Sequence, residues 1–255
     1  MDIQSFTTQL AEDAAALAMS LFGKVRPELK PDESIVTEAD RAVEKFIRDK
    51  ILETYPSSAF VGEEGTSDPH GDPMWVVDPI DGSDMYAVGA PTWCVSIAVF
   101  RDAKPEAAAV ASPATCETFH LSEGKVCVNG KPVFPRSFVD RKTTLLYTPS
   151  SLHRDYRAEN YRGKTRNLGS ACLHICYVAA GRGDAYVTRS FPWDVAPAFV
   201  LMPRIGGRIT ALNCQDVEWS DVIKTPAHKT DEPLLFSSCE RSARFFCNHL
   251  SYTKR

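Results

Sequence analysis

Residues Trp75 to Ser83 read Trp-Val-Val-Asp-Pro-Ile-Asp-Gly-Ser, and no other stretch constrains this chain as tightly. An apolar strand runs into two aspartates, Asp78 and Asp81, with Pro79 between them and Gly82-Ser83 directly after. An acidic pair at the mouth of a strand suits hard cations such as Mg²⁺, which prefer carboxylate oxygen. Gly82 and Ser83 are placed to open a short helix whose free N–H groups point at an anion. Metal ions and a phosphate cradle would then sit within one turn of each other, the outline of metal-dependent phosphate chemistry. Spacing alone leaves a second reading open, in which these acids are solvated loop residues.

The rest of the chain has to build a core around that strand. Its 255 residues suffice for one large domain or two modest ones, with 44% hydrophobic and 24% charged residues. A net charge of −4 without any block of Lys or Arg marks neither a nucleic-acid nor an anionic-membrane surface. The opening Met-Asp-Ile-Gln-Ser lacks the basic and apolar regions of a signal peptide, and no apolar run approaches the roughly 20 residues needed to span a bilayer. Eight scattered cysteines without a C-x-x-C pair fit reduced thiols, so a cytoplasmic location is expected.

Apolar residues at Phe6, Leu10, Ala14, Leu17 and Leu21 predict a helix over residues 2–22. A second helix should begin near Thr37, with Asp40 completing a capping box, and end at Pro56. Strands are expected at 59–61, 74–77, 93–100 and 107–111, with a hairpin over 118–121 and 125–128 and a loop over 66–73. Asp78 and Asp81 are read as following their strand. From about Arg141 strands and helices alternate. Strands are expected at 145–147, 166–168, 185–187 and 208–210, and helices from Gly169-Ser170 to Ala180 and from Trp193 to Arg204. Pro197 and Pro203 are awkward there, because an interior proline kinks or ends a helix. Cys172, His174 and Cys176 suggest a soft-metal cluster, but helical spacing sets His174 off the cysteine face and core packing is the better reading. The tail from Cys239 carries no functional signal.

Acidic residues recur at element boundaries, at Asp40, Glu63, Glu64, Asp78, Asp81 and Asp194, where sites are usually built. Here the sequence resembles the inositol monophosphatase family. Gly62-Glu63-Glu64, Trp75–Ser83 and Trp193-Asp194-Val195-Ala196, continuing to Gly206-Gly207, match its signatures in order. Val36–Asp40, Val95–Ala98, Asn129-Gly130-Lys131 and Gly183–Tyr186 support them, and the resemblance covers about residues 3 to 212. It implies an α/β (α+β) fold, a layered αβαβα sandwich of the inositol monophosphatase and fructose-1,6-bisphosphatase type, commonly a homodimer. The division expected is an N-terminal α+β subdomain over residues 1–140, carrying most metal ligands, and a C-terminal α/β subdomain over 141–255.

The implied activity is Mg²⁺-dependent, lithium-sensitive hydrolysis of a small phosphorylated metabolite. By the resemblance, Glu63, Asp78 and the backbone carbonyl of Ile80 hold one Mg²⁺. Asp78, Asp81 and Asp194 hold a second, and Glu63 with water a weaker third. Catalytic roles fall to Asp40, Glu63 and Ser83. Ser83 stands where the family usually has Thr, and its hydroxyl, oriented by Asp40, would position and deprotonate the attacking water. The substrate-binding set is Asp81, Gly82, Ser83, Gly169, Ser170, Ala171, Arg189 and Asp194.

Two positions depart from the pattern. Ser34 replaces an Asp common in relatives, which weakens the third metal. Val187 replaces the Glu with which the inositol-specific branch grips a substrate hydroxyl, and valine cannot accept that bond. Arg189 nearby offers a fork suited to a second phosphate or a carboxylate, although an exposed loop arginine is the favoured reading. Inositol phosphate-like compounds, histidinol phosphate, a sugar phosphate and a nucleotide 3′-phosphate all stay open as substrates. The alternative is a regulatory or binding member of the same family with vestigial hydrolysis.

Overall fold

In a computed structural model the chain is described over residues 2–30, 35–65, 67–68, 70–224 and 228–253. Ser34 therefore lies outside the described residues, as do Thr66 and Pro69 of the expected loop.

Helix α1 (Ile3–Leu21) starts at Asp2, whose carboxylate accepts the Ser5 N–H at 2.9 Å. It buries Leu10, Ala11, Ala14, Ala15 and Ala18, with Phe6, Leu17 and Leu21 partly covered beside them. Helix α2 (Glu38–Thr54) has the expected capping box: Thr37 Oγ1 accepts the Ala39 N–H, and Asp40 Oδ2 accepts the Thr37 N–H at 2.7 Å. Its buried face carries Val43, Ile47 and Ile51, but also Asp40 and Glu44.

Both helices cover one face of an eight-stranded sheet. In spatial order its strands are Lys131–Pro132, Lys125–Val128, Glu117–Ser122, Lys104–Ser112, Cys94–Arg101, Met74–Asp81, Ala59–Gly62 and Ser67–Asp68. All neighbours are antiparallel except Ala59–Gly62 with Met74–Asp81. Trp75, Val77, Val95, Ile97 and Val99 point toward α1 and α2, while Val76, Cys94, Ala98 and Phe100 point the other way. Both sets are buried, so these strands read as continuous apolar runs. The stretch expected as a loop contributes the short edge strand Ser67–Asp68.

The central strand corrects one expectation. It does not stop at Val77 but continues through Asp81 and passes into the short helix α3 (Ser83–Ala87). Asp78 pairs with Ser96 and Asp81 with Cys94, so one extra residue is accommodated around Pro79. Residues three apart on a regular strand face opposite ways; the bulge turns both carboxylates to one side.

Helices α4 (Ala171–Ala179) and α5 (Pro192–Leu201) cover the other face of the large sheet and one face of a second sheet. That sheet runs Lys164–Arg166, Leu145–Tyr147, Ala185–Thr188, Leu234–Ser237 and Arg208–Ala211. Helix α6 (Glu240–His249) closes its outer face, packing Phe246 against Leu146, Ala185, Val187 and Leu235. The layers are thus α1/α2, sheet, α4/α5, sheet, α6: the αβαβα sandwich. The strand expected at 166–168 lies two residues earlier. Pro197 does not break α5; it lies close to the helix start and removes one bond, to the Trp193 carbonyl, near which the Cys172 thiol lies at 4.0 Å. Pro203 falls in a separate 3₁₀ turn, Met202–Ile205.

The cysteine expectation is corrected as well. Cys214 and Cys247 form a disulfide between the loop after Arg208–Ala211 and α6, with Cα atoms 6.0 Å apart. Their separation of 33 residues carries no local pattern that sequence reading could use. The other six cysteines are free. The tail is ordered too: Leu250–Tyr252 pairs with Tyr156–Ala158. Among the described residues, no helix is long and apolar enough to cross a membrane.

Candidate active site

The bulged end of the central strand, the turn after Ala59–Gly62 and the first turn of α5 converge on one cavity of about 370 Å³. Glu63, Asp78, Ile80, Asp81, Gly82, Ser83, Gly169 and Asp194 line it. Oxygens of Asp78, Asp81 and Asp194 lie within 4.8 Å of one another. Of the metal ligands anticipated from sequence, these three are grouped, and Ile80 sits between the first two with its N–H donated to Asp78 Oδ1 at 3.1 Å.

Each acid is held by local structure. Asp194 is the third residue of α5 and accepts the Phe191 N–H at 3.0 Å, capping its own helix. Asp81 caps a helix from the other half of the chain: it accepts the Ser170 hydroxyl at 2.5 Å and the N–H groups of Ala171 (3.1 Å) and Cys172 (2.6 Å) at the start of α4. Asp40 is fully buried, and its Oδ1 accepts the Ser83 hydroxyl at 2.9 Å while Oδ2 is held by Thr37. The Ser83 hydroxyl also lies 2.9 Å from the Ile80 carbonyl. Gly82 adopts φ +97°, and a Cβ there would meet the Thr92 carbonyl at 3.1 Å and the Gly169 carbonyl at 3.3 Å. Only glycine lets the strand turn into α3 this close to the Gly169 loop.

Glu63 lines the cavity but stands apart from the three aspartates. Its Oε1 bonds Lys30 Nζ at 3.0 Å, and the same ammonium bonds Glu64 Oε1 at 2.7 Å. Sequence reading missed Lys30, since nothing local ties it to residues more than thirty positions on. It also missed Glu44, whose Oε2 accepts the Glu64 N–H at 2.8 Å. A signal for Glu44 existed, because it lies four residues after Asp40 on the apolar face of α2.

Burial sets the electrostatics. It raises Asp78 well above the ordinary carboxylate range, and repulsion from Glu63, Asp81 and Asp194 adds to it. Asp194 rises likewise through burial and its neighbours Asp81 and Glu63. Burial also raises Asp81, opposed by its bonds from Ser170, Cys172 and Ala171. Glu63 is lifted to about 7 by burial, against the pull of Lys30. Its side chain keeps 19% of its surface, so solvent relieves part of that rise. Lys30 lies above its usual value, because Glu63 and Glu64 outweigh the effect of its burial.

Comparison with known proteins gives this geometry its context. The family model described as "Inositol monophosphatase family" matches residues 2–243. This chain belongs to the inositol monophosphatase family. The fructose-1,6-bisphosphatase/inositol-1-monophosphatase of Thermotoga maritima is 32% identical over 82% of this chain and 85% of its own. The inositol-1-monophosphatase of Bacillus subtilis is 30% identical over 80% and 82%. Among solved structures, an IMPase of Thermotoga maritima superposes with a TM-score of 0.83, at 28% identity, covering 97% of each chain. This is a family of phosphatases, and the αβαβα layering is its fold.

The donor set fits a hard divalent cation. Two buried aspartates and the half-buried Asp194 share one cavity, no cation among the described residues is bonded to them, and each has its charged form disfavoured by desolvation. Asp81 also lies within 4.8 Å of the Cys94 and Cys172 sulfurs. Burial pushes the Cys94 thiol up to about 12 and raises Cys172 as well, which disfavours their thiolate forms in the metal-free protein. His174 is buried, stacks on Tyr147 and accepts the Leu168 N–H at Nε2 (2.8 Å), in keeping with its expected packing role. Another cavity, about 670 Å³ beside Trp219, shares no residue with the acid cluster and lacks its convergent carboxylates.

Proposed function

We propose that this chain is a Mg²⁺-dependent phosphomonoesterase acting on a small phosphorylated metabolite. The observation that carries the reading is the convergence of Asp78, Asp81 and Asp194 next to a serine hydroxyl already bonded to a buried aspartate. Asp78, Asp81, Asp194, Glu63 and the Ile80 carbonyl would hold the ions. When bound, Mg²⁺ supplies positive charge against the phosphoryl oxygens and acidifies water at neutral pH.

The remaining work belongs to the chain. Ser83 donates its proton to Asp40 Oδ1, which leaves its own oxygen lone pairs free to accept from a water molecule. A proton leaving that water passes to Ser83 Oγ as the serine proton passes to Asp40. Thr37 keeps Asp40 oriented by binding the other carboxylate oxygen through both its N–H and its hydroxyl, each at 2.7 Å. The backbone at Gly82–Ser83, where strand becomes helix, holds the phosphoryl group. Asp81 and Asp194 sit where the phosphate cavity opens toward Gly169–Ala171, so the rest of the substrate extends across the start of α4.

The regulatory alternative has no need for three clustered, mutually repelling aspartates, and the chain keeps all of them. The deciding experiment is phosphate release from a panel of phosphomonoesters by purified protein with Mg²⁺, with Asp78→Asn alongside and lithium added in a second series. Hydrolysis that Asp78→Asn nearly abolishes supports the mechanism; equal rates in both proteins would remove it.

A further inference from the structure

Next to the acid cluster lies a second cavity of about 440 Å³, which shares Asp81, Gly169 and Asp194 with the first. A phosphomonoester with its phosphoryl group at the carboxylates has this space for its leaving group. The role assigned to the second cavity thus rests on the phosphatase reading of the first.

The walls of this cavity are rich in donors. Arg189 is held by neutral acceptors: Nε donates to the Thr230 carbonyl at 2.6 Å and Nη1 to the Tyr252 hydroxyl at 3.4 Å. Its charge meets no carboxylate among the described residues. Lys229 lies 5.3 Å from the centre of the Phe191 ring and likewise forms no ion pair among the described residues. The third cation, Arg154, is matched by Asp155 through bonds of 2.8 and 3.2 Å. Two buried neutral groups join them. Because His174 Nε2 accepts the Leu168 N–H, its ring proton sits on Nδ1, and that N–H has no partner among the described residues. Tyr156 is 4% exposed, and its hydroxyl is unpartnered in the same sense. Such groups are costly to bury unless something else completes them.

Away from Asp81 and Asp194, which belong to the phosphoryl side, the side-chain acceptors are already engaged. Asn167 Oδ1 takes the Gly169 N–H at 2.7 Å, Asp155 faces Arg154, and the Thr188 and Ser190 hydroxyls bond each other at 2.7 Å. Val187 brings no acceptor and packs into the core under α6. A neutral polyol offers O–H donors as well as acceptors, and its donors would go unmatched against such a wall. A phosphate or carboxylate offers acceptors only.

We propose that this cavity receives a second anionic group on the leaving-group side of the substrate. Arg189 and Lys229 are its charged contacts, and the Tyr156 hydroxyl and His174 Nδ1–H its neutral donors. The preferred substrate is then a phosphomonoester that also carries a carboxylate or another phosphate. Arg189 suits this role because its neutral anchors fix the guanidinium plane while leaving the charge uncompensated.

The test compares three compounds on one carbon skeleton: glycerophosphate, phosphoglycerate and bisphosphoglycerate, hydrolysed by the full chain with Mg²⁺ at low and high salt. The expected result is a kcat/KM for one or both doubly anionic compounds about tenfold or more above glycerophosphate, narrowing as salt rises. Whichever of the two is larger names the anion. Arg189→Gln and Lys229→Gln should each pull that ratio toward one, and Tyr156→Phe should lower it less. Arg189→Lys, which keeps the charge and loses the fork, should hold part of it. Should Arg189→Gln fail to fold, Lys229→Gln, an exposed side chain, carries the same readout. Equal efficiency on all three compounds, or a preference for glycerophosphate, overturns the anion pocket and leaves the phosphatase intact. No release from any of them overturns the proposed function itself.

Discussion

Ser83 joins two kinds of geometry, the start of a short helix and a buried carboxylate. Its hydroxyl meets Asp40 Oδ1 at 2.9 Å, and the Ile80 carbonyl at the same distance competes for the proton. Serine has no second Cβ substituent to fix its rotamer, so these contacts alone hold it. Ser83→Ala should lower kcat by a factor of about a hundred or more, the scale of a lost general-base contact. Because Ser83 contributes no carboxylate, the Mg²⁺-induced rise in melting temperature should survive; losing both would assign Ser83 to metal binding instead. Lys30 makes the opposite kind of contribution. Its ammonium occupies Glu63 and Glu64 and repels any cation that approaches them. Lys30→Gln should therefore reduce, several-fold, the Mg²⁺ concentration that gives half-maximal phosphate release. An unchanged or increased requirement would show that Lys30 does not compete for this site.

At the scale of elements, the decisive device is a strand that reaches out of its own sheet to cap a helix in the next layer. Asp81 ends the bulged strand and satisfies the hydroxyl of Ser170 and two N–H groups of α4. Asp78, one bulge earlier, accepts among the described residues only the Ile80 N–H and is otherwise surrounded by like charge. The two aspartates should thus respond in opposite directions in metal-free protein. Asp81→Ala strips buried donors of their acceptor and should cost about 2–4 kcal/mol of stability. Asp78→Asn removes a repelled charge and should raise the metal-free melting temperature, while abolishing hydrolysis. Denaturant melts in EDTA distinguish them, and a loss of stability in both would mean that repulsion at Asp78 is negligible. These same elements mark what sequence could reveal. The capping box at Thr37 and Asp40, the hairpin around Glu123-Gly124 and the opening of α3 depend on neighbours within a few residues, and the order of acidic motifs named segments that the fold brings to one cavity. The bulge at Pro79, the Lys30 latch, the Cys214–Cys247 bond and the tail strand beside Arg189 depend on partners tens of residues away. No local period encodes those pairings.

For the whole molecule, the price of assembling the site is a set of carboxylates that burial holds partly protonated. Glu63 at about 7, with Asp78, Asp81 and Asp194 also raised, all have folded values above those of the unfolded chain. For such groups the favourable contribution is fully present below the unfolded value, about 4, and is lost as pH rises through the folded one. The metal-free protein should therefore lose stability as pH rises from about 4 through the Glu63 value near 7, with the raised aspartates contributing loss of the same sign. A bound divalent cation reverses the sign, because it binds the ionised forms and must displace their protons at low pH. Thermal melts with EDTA and with saturating Mg²⁺, at pH 5.5 and pH 8, should show a metal-induced shift that is several degrees larger at the higher pH. At roughly 2–4 °C per kcal/mol for a chain of this size, that difference corresponds to about 1–2 kcal/mol. A shift independent of pH would mean that the carboxylates are already ionised without metal, and that the layers α1/α2 and α4/α5 hold them together against their full repulsion.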